Sequence, residues 1–131
     1  EAVEKYGHKP KARLVAYASN SMHPDDFTLA PIGAIEKVCV KAGLSISDID
    51  LFEINEAFAA VPLFAIEQLK LDPEKVNVNG GAVSIGHPLG ASGARLTATL
   101  VREMQKRKVR YGLATLCIGG GEAVAVIFER V

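Results

Sequence analysis

His87 lies in the run Gly86-His87-Pro88-Leu89-Gly90. Pro88 biases the histidine toward extended backbone, and the flanking glycines admit a ligand or another chain at close range. An imidazole held this way serves as a hydrogen-bond donor or a base, although a tight turn can also hold a histidine for structural reasons alone. Cys117 ends an apolar run just before Gly119-Gly120-Gly121. Its thiol can act as an acid or base if a nearby histidine tunes it; the alternative is a small buried hydrophobe. The N–H of Gly119 and its neighbours can form half of an oxyanion hole, because residues without a Cβ let an acyl oxygen approach, though hairpin glycines also occur without function. Asn55, followed by Glu56, offers an amide that can fix a water or cap the next helix, and the two roles are compatible.

Other candidates fail on spacing. Gly86, Gly90 and Gly93 do not make the G-x-G-x-x-G of a dinucleotide site, and no Gly-Lys-Ser/Thr completes a phosphate loop. Ala82-Val83-Ser84-Ile85-Gly86 is a faint echo of a hydrolase nucleophile elbow, but no histidine follows His87 to complete the order that chemistry needs. His23 with Asp25 and Asp26 reads as a solvated loop, since three near-adjacent ligands rarely close a metal site. No metal is expected. Cys39 falls on the apolar face of an expected helix and reads as structural.

Those residues need a scaffold, and the elements that supply it follow from the apolar pattern. Leu14–Ala18 is expected to be a strand, a helix to run from Pro31 to Gly43, and Asp50–Asn55 to be a second strand. A helix from Glu56 to about Lys70 is apolar nearly all round in its first half, which implies cover from another layer or subunit, and Pro62 within it predicts a kink or a lost hydrogen bond. Val76–Asn79 reads as a short third strand. A helix from Ser92 to Lys108 has a basic tail that suits its dipole, and strands at Leu113–Ile118 and Ala123–Phe128 form a hairpin through the three glycines. The order βαβαβαββ predicts an α/β domain with a mixed five-stranded sheet and helices on both faces. Ligands of open α/β sheets bind beyond the carboxyl ends of the strands. Asn55, the glycine-rich run Asn79–Gly93 and Cys117–Gly121 should therefore converge.

The 131 residues suit one domain. Fifteen basic and fifteen acidic side chains cancel, which argues against nucleic acid or an anionic membrane as partner. The longest apolar run, Ala57–Ile66, is far short of the roughly 20 residues of a membrane span. Two cysteines make no disulfide framework and favour a reducing compartment. The chain opens at Glu1 with no initiator Met, so it is expected to be part of a longer polypeptide, with residues 1–12 as the tail of a preceding helix and a linker.

Asn55-Glu56-Ala57-Phe58-Ala59, Asn79-Gly80-Gly81-Ala82 continuing to Gly86-His87-Pro88-Leu89-Gly90-Ala91-Ser92-Gly93-Ala94-Arg95, and Cys117-Ile118-Gly119-Gly120-Gly121 together resemble the signature segments of the C-terminal domain of thiolases, in the family's order. The resemblance covers about Arg13 to Glu129. It implies an acyltransferase that cleaves 3-ketoacyl-CoA with CoA or condenses two acetyl-CoA by ping-pong transfer, with CoA and acyl-CoA as substrates and no permanently bound cofactor. By that resemblance Cys117 is the acid/base, and His87 activates the nucleophile and donates to the thioester oxygen. Asn55 then holds the water that completes that oxyanion hole, the Gly119 N–H serves a second one, and Phe58 lines the acyl pocket. The family's covalent cysteine belongs to an N-terminal domain absent here, so the segment is expected to be inactive alone. The resemblance also implies docking with that domain, with the helix at Glu56 between the two sheets, and a homodimer or homotetramer, cytoplasmic by default. The rivals are a noncatalytic thiolase-like module for acyl chains or oligomerisation, and a decarboxylating condensing enzyme, which would place a second histidine where Cys117 stands.

Overall fold

The computed structural model describes residues 1–131. A short exposed helix, α1 (Ala2–Tyr6), precedes strand β1 (Ala12–Ser21); helix α2 (Ala30–Ala42) follows, then β2 (Leu51–Ile54), α3 (Ala60–Leu69), a one-turn α4 (Ala82–Ile85), α5 (Ser92–Arg107) and the hairpin β3 (Tyr111–Ile118) and β4 (Glu122–Arg130). The sheet has four strands in the order β1-β4-β3-β2. β2 and β3 are parallel, and β4 is antiparallel to both of its neighbours.

The expected five-stranded sheet is corrected at Val76–Asn79. Only Val76 bridges to Phe52, because Asn77 turns out of extended conformation to φ 46. The Asn77 N–H donates to the Phe52 carbonyl at 2.8 Å. One residue pair further along, its side chain takes over: Ile54 N–H donates to Asn77 Oδ1 at 2.8 Å, and Asn77 Nδ2 donates to the Ile54 carbonyl at 2.9 Å. The amide thus satisfies the outer edge of β2, where a fifth strand would have paired.

Side-chain alternation along the strands makes two cores. Phe52, Ile54, Leu113, Ala123, Ala125 and Ile127 pack with Ile35, Val38 and Cys39 of α2 and with Val61 and Ala65 of α3. Leu51 and Ala114 pack with Leu100 and Met104 of α5 on the opposite face. Helices therefore cover both faces, as expected. At Pro62 the expected loss of a hydrogen bond does not arise. The helix begins at Ala60 rather than Glu56, which puts Pro62 in a first turn whose N–H groups lack intrahelical partners in any case.

α5 lies mainly over β2 and β3 and reaches β4 at Val126 and Phe128. Beyond it Leu14 and Tyr17 of β1 and Val124 of β4 are exposed, and with Leu116 and Val126 they line an open apolar hollow of about 590 Å³. α3, by contrast, buries Val61, Pro62 and Ala65 and exposes Leu63. The bare sheet face thus lies beside α5, on the side of the sheet opposite the helix that the sequence pattern marked for cover.

The α5 interface also holds a charge. Glu53 of β2 is 2 % exposed, and burial pushes its carboxyl up to about 7, against the pull of Arg95. The native state therefore holds this proton more tightly than the unfolded chain does, so the associated stability is complete below the ordinary glutamate range and is lost as pH rises through 7. Between pH 5 and pH 8 the wild type is expected to lose about 2–3 kcal/mol relative to Glu53→Gln. Urea denaturation of both proteins at the two pH values checks this; parallel pH dependence would show that Glu53 does not titrate in the fold.

Candidate active site

β2 and β3 run in parallel, so their carboxyl ends open on one edge of the domain. Asn55 continues the β2 register by donating its N–H to the Thr115 carbonyl at 3.0 Å. Cys117 lies two residues beyond Thr115. The segment from Asn79 to Ala91 folds back over the same edge and carries His87.

The His87 loop is tied down from two sides. Glu56 Oε1 accepts from Asn77 Nδ2 at 2.9 Å and Glu56 Oε2 from the Val83 N–H at 2.9 Å, which fixes α4 to the end of β2. On the other side Ser92, fully buried in the first turn of α5, places Oγ 2.6 Å from His87 Nδ1 and donates to the Pro88 carbonyl at 3.2 Å. With its proton committed to Pro88, Ser92 Oγ accepts from His87 Nδ1–H. The neutral ring then keeps its lone pair on Nε2, as a base needs, and Nε2 becomes a donor on protonation.

Asn55 is buried with no exposed surface, and its Nδ2 lies 3.3 Å from His87 Nε2 and 3.4 Å from Nδ1. Its Oδ1 has no partner within the protein. A buried amide oxygen of this kind costs stability unless something donates to it.

His87, Cys117, Gly119 and Phe58 line one cavity of about 850 Å³. Cys117 is half-buried and free, and burial raises its thiol, offset in part by a backbone hydrogen bond. The thiol is therefore neutral at pH 7 and available as an acid. Phe58 is exposed into the cavity mouth and meets Phe27 edge-on at 6.0 Å.

The glycines after Cys117 divide by cause. Gly121 has φ 99, and a Cβ there would lie 2.5 Å from the Met22 carbonyl. It is a glycine that the fold requires. Gly119 has no left-handed backbone, and nothing lies within 4 Å of where its Cβ would stand. Neither packing nor conformation calls for glycine at 119, and its N–H donates to no backbone carbonyl.

Four of the five residues singled out in the sequence thus line one cavity, and the fifth, Asn55, lies buried behind it in contact with His87. Sequence reasoning missed the supports: Ser92, five residues after His87, and the Asn77–Glu56 pair. It also missed Phe27, which the turn at Pro24–Asp26 delivers to the cavity. Cys39 is buried among Ile35, Val38 and Ile54, as a structural cysteine. His23 Nδ1 accepts from the Asp25 N–H at 3.3 Å as the cap of that turn. No helix is long and apolar enough to cross a membrane.

Residues 8–130 match the family model of the thiolase C-terminal domain. The chain is 53 % identical over 128 residues to an acetyl-CoA acetyltransferase of Allochromatium vinosum, covering 98 % of this chain and 32 % of the relative. It is 46 % identical to the mitochondrial 3-ketoacyl-CoA thiolase of Bos taurus, covering 99 % of this chain and 33 % of that one. The crystal structure of human mitochondrial 3-ketoacyl-CoA thiolase superposes with a TM-score of 0.96 at 46 % identity, over 99 % of this chain and 33 % of that one; the same enzyme has been solved in complex with CoA. The chain spans about a third of the length of these relatives.

Proposed function

The chain belongs to the thiolase family, as a thiolase C-terminal domain, and on that premise we propose that it supplies the acid–base half of a thiolase active site. The observation that carries the reading is the single cavity on which His87 and Cys117 meet, thirty residues apart in sequence, with Phe58 and the open Gly119 at its rim.

In thiolytic cleavage a cysteine outside this segment adds to the 3-keto carbon of the substrate, and its developing oxyanion is met by the Gly119 N–H. The bond between C2 and C3 then breaks, leaving the acyl group on that cysteine and an acetyl-CoA enolate. Cys117 protonates C2 of the enolate to give acetyl-CoA, while protonated His87 and a water held by Asn55 Oδ1 stabilise the enolate oxygen. The proton on Cys117 suits this step, since burial keeps the thiol neutral. His87 passes the proton it took from the attacking cysteine to the Cys117 thiolate; its Nε2 then deprotonates CoA, which takes the acyl group, and the freed cysteine thiolate recovers that proton from His87. Condensation runs the same steps backward. Phe58, with Phe27 against it, lines the acyl end.

The bare sheet face of Leu14, Tyr17 and Val124 supports a place for the remainder of the polypeptide, the N-terminal domain, against β1 and β4. Assembly into homodimers or homotetramers follows the family pattern. Two free cysteines suit the reducing cytoplasm. A decarboxylating condensing enzyme would need a second histidine, and the cavity holds only His87.

The test is acetoacetyl-CoA thiolysis by this chain alone and by the chain assembled with a thiolase N-terminal half. CoA-dependent cleavage is expected only in the assembled pair. A soluble complex that binds acyl-CoA without cleaving it would replace the enzyme reading with a noncatalytic acyl-binding module.

A further inference from the structure

Glu53 and Arg95 form the one ion pair between β2 and α5, with Arg95 Nη1 3.7 Å from Glu53 Oε2. Both are buried for charged residues: Glu53 is 2 % exposed, and the Arg95 side chain 23 %. Neither Glu53 Oε2 nor Arg95 Nη2 has a hydrogen-bond partner in the protein. Buried pairs of this kind add little net stability, and an apolar pair of similar volume would often serve as well. Stability alone therefore does not account for charges at these two positions.

Their place in the fold does. Glu53 and Asn55 are two apart on one extended strand, so their side chains share the sheet face turned toward α5. Ser92 and Arg95 are three apart on α5 and share one helix face. Two rungs thus cross the same β2–α5 interface one step apart. One is Glu53–Arg95; the other is Asn55–His87–Ser92, at 3.3 Å and 2.6 Å. The separation of β2 from the head of α5 sets both.

We propose that Glu53 and Arg95 are a positioning pair that holds β2 against the head of α5 at the distance that fixes His87 between Asn55 and Ser92. Neither residue touches the cavity, and each acts through its neighbour on its own element. The charged groups that face Glu53 are Arg95 and Glu103 from α5 and Glu56 from the turn after β2. Glu103 is itself held by Arg107 and Asn79, which leaves Arg95 as the cation committed to Glu53. This role rests on the thiolase reading only for its effect on turnover.

The experiment has two readouts, at pH 8 where Glu53 is ionised. One is the ¹⁵N shifts of the His87 ring in the chain itself, which report the tautomer without any catalysis. The other is kcat and KM for acetoacetyl-CoA thiolysis in the assembled enzyme. The variants are Glu53→Gln, Arg95→Lys, and the double variant Glu53→Leu/Arg95→Leu, which removes both charges and so leaves none buried and unpaired.

The wild type is expected to show the Nδ1–H tautomer. The double variant should fold, populate both tautomers, and lose about 10–100-fold in kcat with little change in KM, the scale of a misplacement near one ångström. Arg95→Lys should keep the tautomer and most of kcat. A double variant that folds with an unchanged His87 tautomer overturns the proposal, whatever its activity. A shifted tautomer in a wild-type assembly that performs no thiolysis supports the positioning pair and removes the thiolase reading instead.

Discussion

Cys117→Ala in the assembled enzyme is expected to lower acetoacetyl-CoA thiolysis by about 10²–10⁴-fold, the range for a positioned acid or base, while leaving acyl exchange largely intact. The two activities separate because they use different protons. On the proposed roles, cleavage of the bond between C2 and C3 draws its proton at C2 from the Cys117 thiol. Exchange of labelled CoA into acetyl-CoA makes and breaks only thioesters and calls on His87. His87→Ala is therefore expected to depress both, and Cys117→Ala only the first. Exchange and thiolysis measured side by side on the two variants decide the matter. Equal loss of both in Cys117→Ala would show that the thiol supports the architecture of the cavity rather than transferring a proton. Because Cys117 is only half-buried, the alanine variant removes little packing. The direction of the thiol's shift adds a pH signature. Burial raises it above the ordinary cysteine value, so the protonated form that cleavage needs persists through neutral pH. Condensation, which needs the thiolate, is expected to rise with pH well past the point where cleavage levels off.

The sequence made this site legible because its three segments each end or follow an element whose type is clear from apolar pattern. Once β2 and β3 are parallel, the residues after them have to share an edge, and a glycine-rich return between them has to cross it. What could not be read was the support. Ser92 reads as a small residue at a helix start, and nothing local shows that its hydroxyl faces a histidine five positions back. The hairpin of β3 and β4 fixes their antiparallel pairing but not the side on which β1 joins, so β4 lying between β3 and β1 is information held only in the packed sheet. The helix from Glu56 is apolar nearly all round in its first half and leaves Leu63 and Phe64 exposed, yet a second bare face belongs to β1 and β4. Hydrophobic pattern counts how much surface must be covered and leaves open which surface its own chain covers first.

Val76–Asn79 is where pattern and structure part. The alternation of valine and asparagine suits an edge strand, but asparagine is also the residue other than glycine that most readily takes left-handed backbone, and its amide can imitate a peptide group. At Asn77 both properties are used. Asn77→Ala is expected to destabilise the domain by about 3–5 kcal/mol, since it strips partners from a buried backbone N–H and carbonyl at about 1–3 kcal/mol each and adds the penalty of alanine at positive φ. Asn77→Gly removes that penalty but not the loss of partners, so it should recover about 1–2 kcal/mol of the difference. Asn77→Asp keeps the acceptor for the Ile54 N–H, but sets a carboxylate against the Ile54 carbonyl and Glu56. It should be no better than glycine. Urea denaturation of the three variants gives the ranking, and alanine or glycine within 1 kcal/mol of wild type would be the outcome of a true fifth strand, whose backbone bonds need no side chain. The consequence extends beyond stability, because Asn77 Nδ2 also holds Glu56, and Glu56 in turn holds the Val83 N–H at the start of the segment that delivers His87. Losing the amide at 77 loosens the edge of β2 and the histidine loop together, so the glycine variant should lose activity even under conditions where it remains fully folded.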